Sequence, residues 1–248
     1  MNSFLIYAFM FFVGSLLGWC LEVVFRKFFS NKNPERKWIN PGFLNGPYLP
    51  LYGFGLCGLY TLTMLEDIIF IDNEIIQKIV LFIIMAAAMT FIEYIAGIIF
   101  IKGMKTKLWD YSDEPGNIQG IICPKFSLYW AILSAVYYFL IHPYVLDGIS
   151  WLSENLAFSF FIGLFFGVFI IDVSYSLGLL VKIRKFAAEN DIVVFYERLK
   201  REVHEKAEHR KKMLKIPGFI LQFQSGRSVN EILQDYLQNL KREYGRKR

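Results

Sequence analysis

Histidine and cysteine are scarce, at three residues each among 248. Two of the histidines, His204 and His209, bracket HEKAEH, which is one residue too long for a zinc-protease helix. Positions four apart share a helix face and positions five apart do not, so the stretch reads as a solvated charge run. Cys20, Cys57 and Cys123 all fall outside the loops expected to face outward, so they read as thiols and not as a disulfide frame. The chain has no G-x-x-x-x-G-K-[ST] and therefore does not hydrolyse ATP by a P-loop mechanism itself. No basic stretch precedes the first apolar run and no small-x-small site follows it. That run is expected to be a retained membrane helix and not a cleaved signal peptide. Internal repeats and low-complexity segments are also lacking.

Apolar residues fill the space these absences leave. The chain is 55% hydrophobic and 18% aromatic, with a mean hydropathy of +0.37. A soluble domain of this length has no use for that much apolar surface. Five runs, at 4–25, 48–65, 76–101, 126–141 and 156–181, approach the ~20 residues needed to cross a hydrocarbon core of about 30 Å. The expected fold is an all-α polytopic membrane protein with about five transmembrane helices over 1–182. A basic, helical tail over 183–248 completes it.

Charge orients the spans. Arg26, Lys27, Lys32, Arg36 and Lys37 lie in 26–47, and Lys102, Lys105, Lys107 and Lys125 in 102–125. The connections at 66–75 and 142–155 carry acids and no lysine or arginine. The alternation places the N-terminus outside and the C-terminus in the cytoplasm, in the plasma membrane. The net charge of +5 is then a topology signal. The partner it implies is the lipid bilayer, with no nucleic acid.

In the tail, Ile192, Phe195, Tyr196, Leu199, Val203 and Leu214 recur at mostly helical spacing, and Pro217-Gly218 should stop that helix. Ser228 to Glu231 reads as a capping box, followed by the stripe Ile232, Leu233, Tyr236, Leu237 and Leu240. Such a tail either docks on the protein or membrane surface or binds a protein partner. GFGLCG at 53–58 matches a dinucleotide fingerprint but lies inside a span, where close helix packing explains its glycines. Gly14-x-x-x-Gly18 and Gly163-x-x-x-Gly167 read as packing faces of the same kind, expected within the molecule.

Three acids lie where acids are expensive: Glu22, Glu93 and Asp172. At 1.5 Å per residue they sit roughly 6, 13 and 15 Å in from the cytoplasmic ends of three different helices. Glu22 has Arg26 one turn away as a ready ion-pair partner, and Asp172 has Ser174 and Ser176 nearby. Glu93 has no basic neighbour one turn away. Above them, INPGFLNGPYLPLYGFG at 39–55 reads as a broken or re-entrant start to the second helix, or more mildly as a helix beginning at Pro47 with proline at its first position. A second polar loop, LWDYSDEPGNIQG at 108–120, brings Asp110, Asp113, Glu114 and Asn117 to the same face. Carboxylates and amide oxygens suit a hard cation or a cationic or hydroxylated ligand. Acids without a paired histidine make a poor nucleophilic triad, so no catalytic residue is assigned and no cofactor is expected.

GWCLEVVFRK, NPGFLNGPYLPLYGFG, FIEYIAGIIF and LWDYSDEPGNIQGIICPKFSLYW together resemble the bacterial ABC-transporter type IV permease family (CmpB-like), over roughly 14–130. The resemblance implies a transport permease subunit of the plasma membrane and, with it, a separate ATPase subunit as partner. It carries Glu22, Arg26, Asn40, Asn45, Glu93, Asp110, Asp113 and Asn117 as candidate substrate- or ion-binding positions, which Asp172 joins from the reading of buried acids. The leading expectation is a transporter or permease component with an acidic site open to the cytoplasm. The alternatives are a membrane-embedded enzyme acting on an interfacial or lipid-linked substrate, and a non-catalytic scaffold or regulator.

Overall fold

The structure, a computed structural model, describes residues 2–30, 33–69, 71–202 and 229–246. The chain is a helical membrane protein. Helix α1 runs over Ser3–Phe28, α2 over Pro50–Thr63, α3 over Glu74–Ile98, α4 over Pro124–Val136, α5 over His142–Glu154 and α6 over Ser159–Glu189. A further helix closes the chain over Val229–Arg246. Four helical stretches among the described residues are long and apolar enough to cross a membrane: Ser3–Phe28, Glu74–Gly103, Pro124–Glu154 and Leu156–Glu189. Helix α2 has 14 residues, about 21 Å at 1.5 Å per residue. It falls short of a full span because its first turns are given up to the irregular, proline-marked stretch before it.

The contacts divide the chain into two compact units, one of residues 1–96 and 110–174 and one of 97–109 and 175–248. In the first, α1 and α2 pack closely because glycine faces side chain on both helices. A Cβ at Gly18 would lie 2.1 Å from the Tyr52 ring, and one at Gly53 would meet Ser15 Oγ at 2.3 Å and Phe11 at 2.8 Å. Gly14-x-x-x-Gly18 is thus an internal packing face; on α2, a helix that follows no strand, Gly53 serves the same contact, whereas Gly55 and Gly58 of GFGLCG turn toward Met89 and Ile92 of α3. Gly163 and Gly167 differ from the expectation, since nothing lies within 4 Å of a Cβ built at either. The core of this unit joins Leu59, Leu81, Met85, Met89, Trp130, Tyr137 and Tyr138. Edge-to-face rings of Phe11, Phe12, Phe165 and Phe169 bring α1 against α6.

The connection expected at 142–155 is helical instead. Pro143 has no N–H to return to the preceding turn, and the helix absorbs this by widening to a π-turn over Tyr137–Ile141 before continuing as α5. The break comes at Asn155, which donates to the Trp151 carbonyl from both its backbone and side chain.

In the second unit, two-residue strands Thr106–Lys107 (β1) and Val194–Phe195 (β2) pair in parallel. The mostly helical spacing expected over 189–214 is interrupted: α6 ends at Glu189, Asp191 turns at φ 48°, β2 follows, and helix resumes at 196–202. Leu233 and Tyr236 of the closing helix are fully buried, as are Val194 and Thr106. The Tyr236 hydroxyl accepts from Phe195 N at 3.2 Å, and Asn239 donates to Glu202 Oε2 at 3.2 Å. HEKAEH, Pro217-Gly218 and the Ser228 cap lie outside the described residues.

Candidate functional site

Each acid in the first unit is placed by its own set of neighbours. Glu22 lies one turn past Gly18 on α1, and the absent Gly18 side chain lets the Tyr52 ring of α2 sit against that turn. Arg26 Nε binds Glu22 Oε1 at 2.7 Å, and the Tyr52 hydroxyl donates to Glu22 Oε2 at 3.1 Å. The i,i+4 ion pair expected from sequence is present. What the spacing omitted is Tyr52, which also lies within electrostatic range of Glu93.

Glu93, on α3, is 3% exposed. Its Oε1 accepts from the Tyr111 hydroxyl at 3.1 Å, while Oε2 makes no hydrogen bond among the described residues. The Trp130 indole of α4 also acts on Glu93 as a donor, short of a full hydrogen bond to Oε2, and the Glu22 charge acts on Glu93 too. Tyr111 is fixed from three directions. Its ring stacks on Phe126 at 4.1 Å, its N–H donates to the Gly120 carbonyl at 2.8 Å, and its carbonyl accepts from Glu114 N at 2.9 Å. Burial first, and then the Glu93 charge, push its phenol well above the usual range, so it remains a donor. Glu22 and Glu93 therefore belong to one electrostatic group, with Arg26, Tyr52 and Tyr111 around them.

Asp172, on α6, is held by other partners. Asn45 N approaches both of its oxygens at 3.2 and 3.0 Å, and Asn45 Nδ2 donates at 3.0 Å. Gly46 N donates at 2.8 Å and the Tyr48 hydroxyl at 2.7 Å. Successive backbone N–H groups converging on one carboxylate form an anion cradle, here filled by the protein's own side chain. Burial, followed by the Asp172 hydrogen bond and charge, raises the Tyr48 phenol beyond its usual range and keeps it a donor. Of the two serines near Asp172 in the sequence, Ser174 is engaged elsewhere. Ser174 Oγ turns back to the Ile170 carbonyl at 2.8 Å.

The remaining candidates shape the two loops. Asn40 accepts from Trp19 Nε1 at 2.6 Å and donates to the carbonyls of Leu44 and Asn45, closing the turn in which Gly42 takes φ 75°. Asp110 accepts from Ser112 N and Oγ in an Asx-type turn. Asn117 bridges the carbonyls of Ser112 and Glu114 to Gly120 N. Asp113 is exposed. No group of three histidine, cysteine or acidic residues placed to hold a metal occurs among the described residues.

Tyr48, Tyr52, Tyr111 and Trp130 are the site residues that sequence reasoning missed. Aromatics are so common in this chain that only their place in the two proline- and glycine-marked loops, or just past them, could have singled them out. The family described as "Putative ABC-transporter type IV" matches residues 9–177, from α1 into α6, and the chain belongs to that family. No curated protein and no solved structure matches it.

Proposed function

We propose that this member of the ABC-transporter type IV family is a transporter or permease component of the plasma membrane. Its working site is the group formed by Glu22, Arg26, Tyr52, Glu93 and Tyr111, on the cytoplasmic side. One observation carries the choice of site: Glu93 is buried, yet Oε2 has no hydrogen-bond partner among the described residues. Burying a polar atom without a partner costs about 1–3 kcal/mol, a cost accounted for if the atom has work to do. Glu22 and Asp172 are satisfied by arginine, tyrosine and backbone donors, which makes Asp172 a tie between α6 and the loop before α2. Alternating loop charges support an outside N-terminus and a cytoplasmic C-terminus, with α2 and its 3₁₀ extension Met64–Asp67 counted as a short fifth crossing.

The chain has no P-loop of its own, so transport powered by ATP requires a second subunit. Cross-linking in native membranes followed by purification into lipid nanodiscs tests this. The expected result is a stoichiometric ATP-binding partner whose hydrolysis falls at least about tenfold with Glu93→Gln, while the complex stays assembled. Recovery of the chain with no nucleotide-binding partner would overturn the permease reading.

A further inference from the structure

Glu93 differs from the other acids in what its second oxygen meets. The charged and titratable groups that interact with it are Glu22 of α1, Tyr52 of α2 and Tyr111 of the 110–123 loop. The Trp130 indole of α4 completes the surroundings. Arg26 Nε is engaged with Glu22 at 2.7 Å, and Tyr111 occupies Oε1. Oε2 is left without a hydrogen-bond partner among the described residues, on a residue only 3% exposed. A metal ion or an organic cation would require further oxygen ligands and room among packed rings, whereas Tyr52 lies 5.1 Å from Trp130 and Tyr111 4.1 Å from Phe126, centroid to centroid. A proton requires neither.

We infer that Glu93 is a proton-binding site, with one exchangeable proton on Oε2 as its ligand. This inference deepens the transport reading and rests on its choice of site. Loading forms the Oε2–H bond and removes a second negative charge from beside Glu22. Release breaks that bond, leaves the electron pair on the carboxylate and passes the proton to water on the side of the Tyr111 loop, where Ser112 and Asp113 are exposed. Because the Glu22 charge acts on Glu93, proton binding at Glu93 depends on that charge. A proton bound here is chemically suited to drive or gate movement of a second solute.

Infrared difference spectroscopy of the full chain in lipid nanodiscs, titrated in H₂O and in D₂O, reads the proton directly. The expected result is a protonated-carboxyl C=O band that disappears as pH rises and shifts in D₂O. Glu93→Gln should abolish it. Glu22→Gln should weaken proton binding about tenfold, the equivalent of about 1.4 kcal/mol of lost charge repulsion. Tyr111→Phe, which keeps the acid and removes only its donor, should move the band without abolishing it. This variant keeps the test decisive if Glu93→Gln does not fold. A carboxylate at every pH would overturn the inference. So would a carboxyl band that neither titrates nor exchanges, since that describes a structural acid. The two readings fail separately: absence of an ATP-binding partner leaves the titrating band standing, and absence of the band leaves a partner complex standing.

Discussion

Alanine at position 172 would leave the N–H groups of Asn45 and Gly46 and the hydroxyl of Tyr48 without their common acceptor. Hydrogen bonds to a charged group are worth roughly 1.5–3 kcal/mol each, so Asp172→Ala should cost at least about 3 kcal/mol and Tyr48→Phe about half of that. Thermal unfolding in nanodiscs, followed by tryptophan fluorescence, checks the ratio; equal losses would mean that the backbone donors contribute nothing. The Tyr48 phenol also carries a pH signature. Its folded value lies above the ordinary 10.0, so its contribution is intact below that value. As pH rises beyond 10, the unfolded chain ionises first and native stability declines. Tyr48→Phe should flatten this alkaline decline. The three acids also show which contacts a sequence reveals. Glu22 and Arg26 are on one helix face, and periodicity finds them. Asp172 binds a loop on the other side of α2, α3, α4 and α5 in the chain, and no spacing rule connects the two. Tyr111 follows Glu93 closely in sequence, but only the folded loop turns its hydroxyl inward.

Between helices, contact depends on which glycines are covered. A Cβ at Gly18 would lie 2.1 Å from the Tyr52 ring, and one at Gly163 would meet nothing within 4 Å. Gly18→Ala should therefore destabilise by about 1–3 kcal/mol and loosen the Tyr52–Glu22 bond, whereas Gly163→Ala should be nearly neutral. Thermal unfolding of the two variants decides it, and comparable losses would show that the α6 glycines are covered in the membrane. The two x-x-x-separated glycine pairs look alike in sequence because the motif records small size and not what lies opposite. The α4–π–α5 run was hidden for a related reason. Pro143 and the acids beyond it have the composition of a loop, and the widening at Tyr137–Ile141 that accommodates the proline leaves no mark in hydropathy. In the tail, Phe195 and Tyr196 fit a helical period, yet β-pairing with Thr106 and Lys107 takes Val194 and Phe195 out of helix.

Membrane class was the most legible property of the whole chain, because it depends on composition summed over many residues and not on particular contacts. The proposed orientation rests on loop charge, and an experiment on intact cells can test it. A cysteine at Lys105 should resist an impermeant thiol reagent added from outside, and one at Asp147 should react; the reverse pattern would invert the proposed topology. The residues of the second unit come from two distant parts of the chain, which loop charge and hydropathy could not reveal. Truncation after Lys185 removes Val194, Leu233 and Tyr236, all fully buried in that unit. The first unit buries its own backbone within helices and should keep its fold. Loss of the Gly18- and Asp172-dependent stability in the truncated chain would show otherwise.

The two-residue parallel pairing of β1 with β2 also bears on biosynthesis. Thr106 and Lys107 leave the ribosome well before Val194 and Phe195, with α4, α5 and α6 made in between. During that interval Thr106–Lys107 lacks the strand that will pair with it. The second unit therefore cannot close until the last long helix has been inserted, so completion of the tail reports that membrane insertion is finished. Non-local pairings of this kind form late, because loop closure must precede any gain from contact. A nascent chain stalled before 194 should then expose the Thr106 region to protease, and one stalled beyond 246 should protect it.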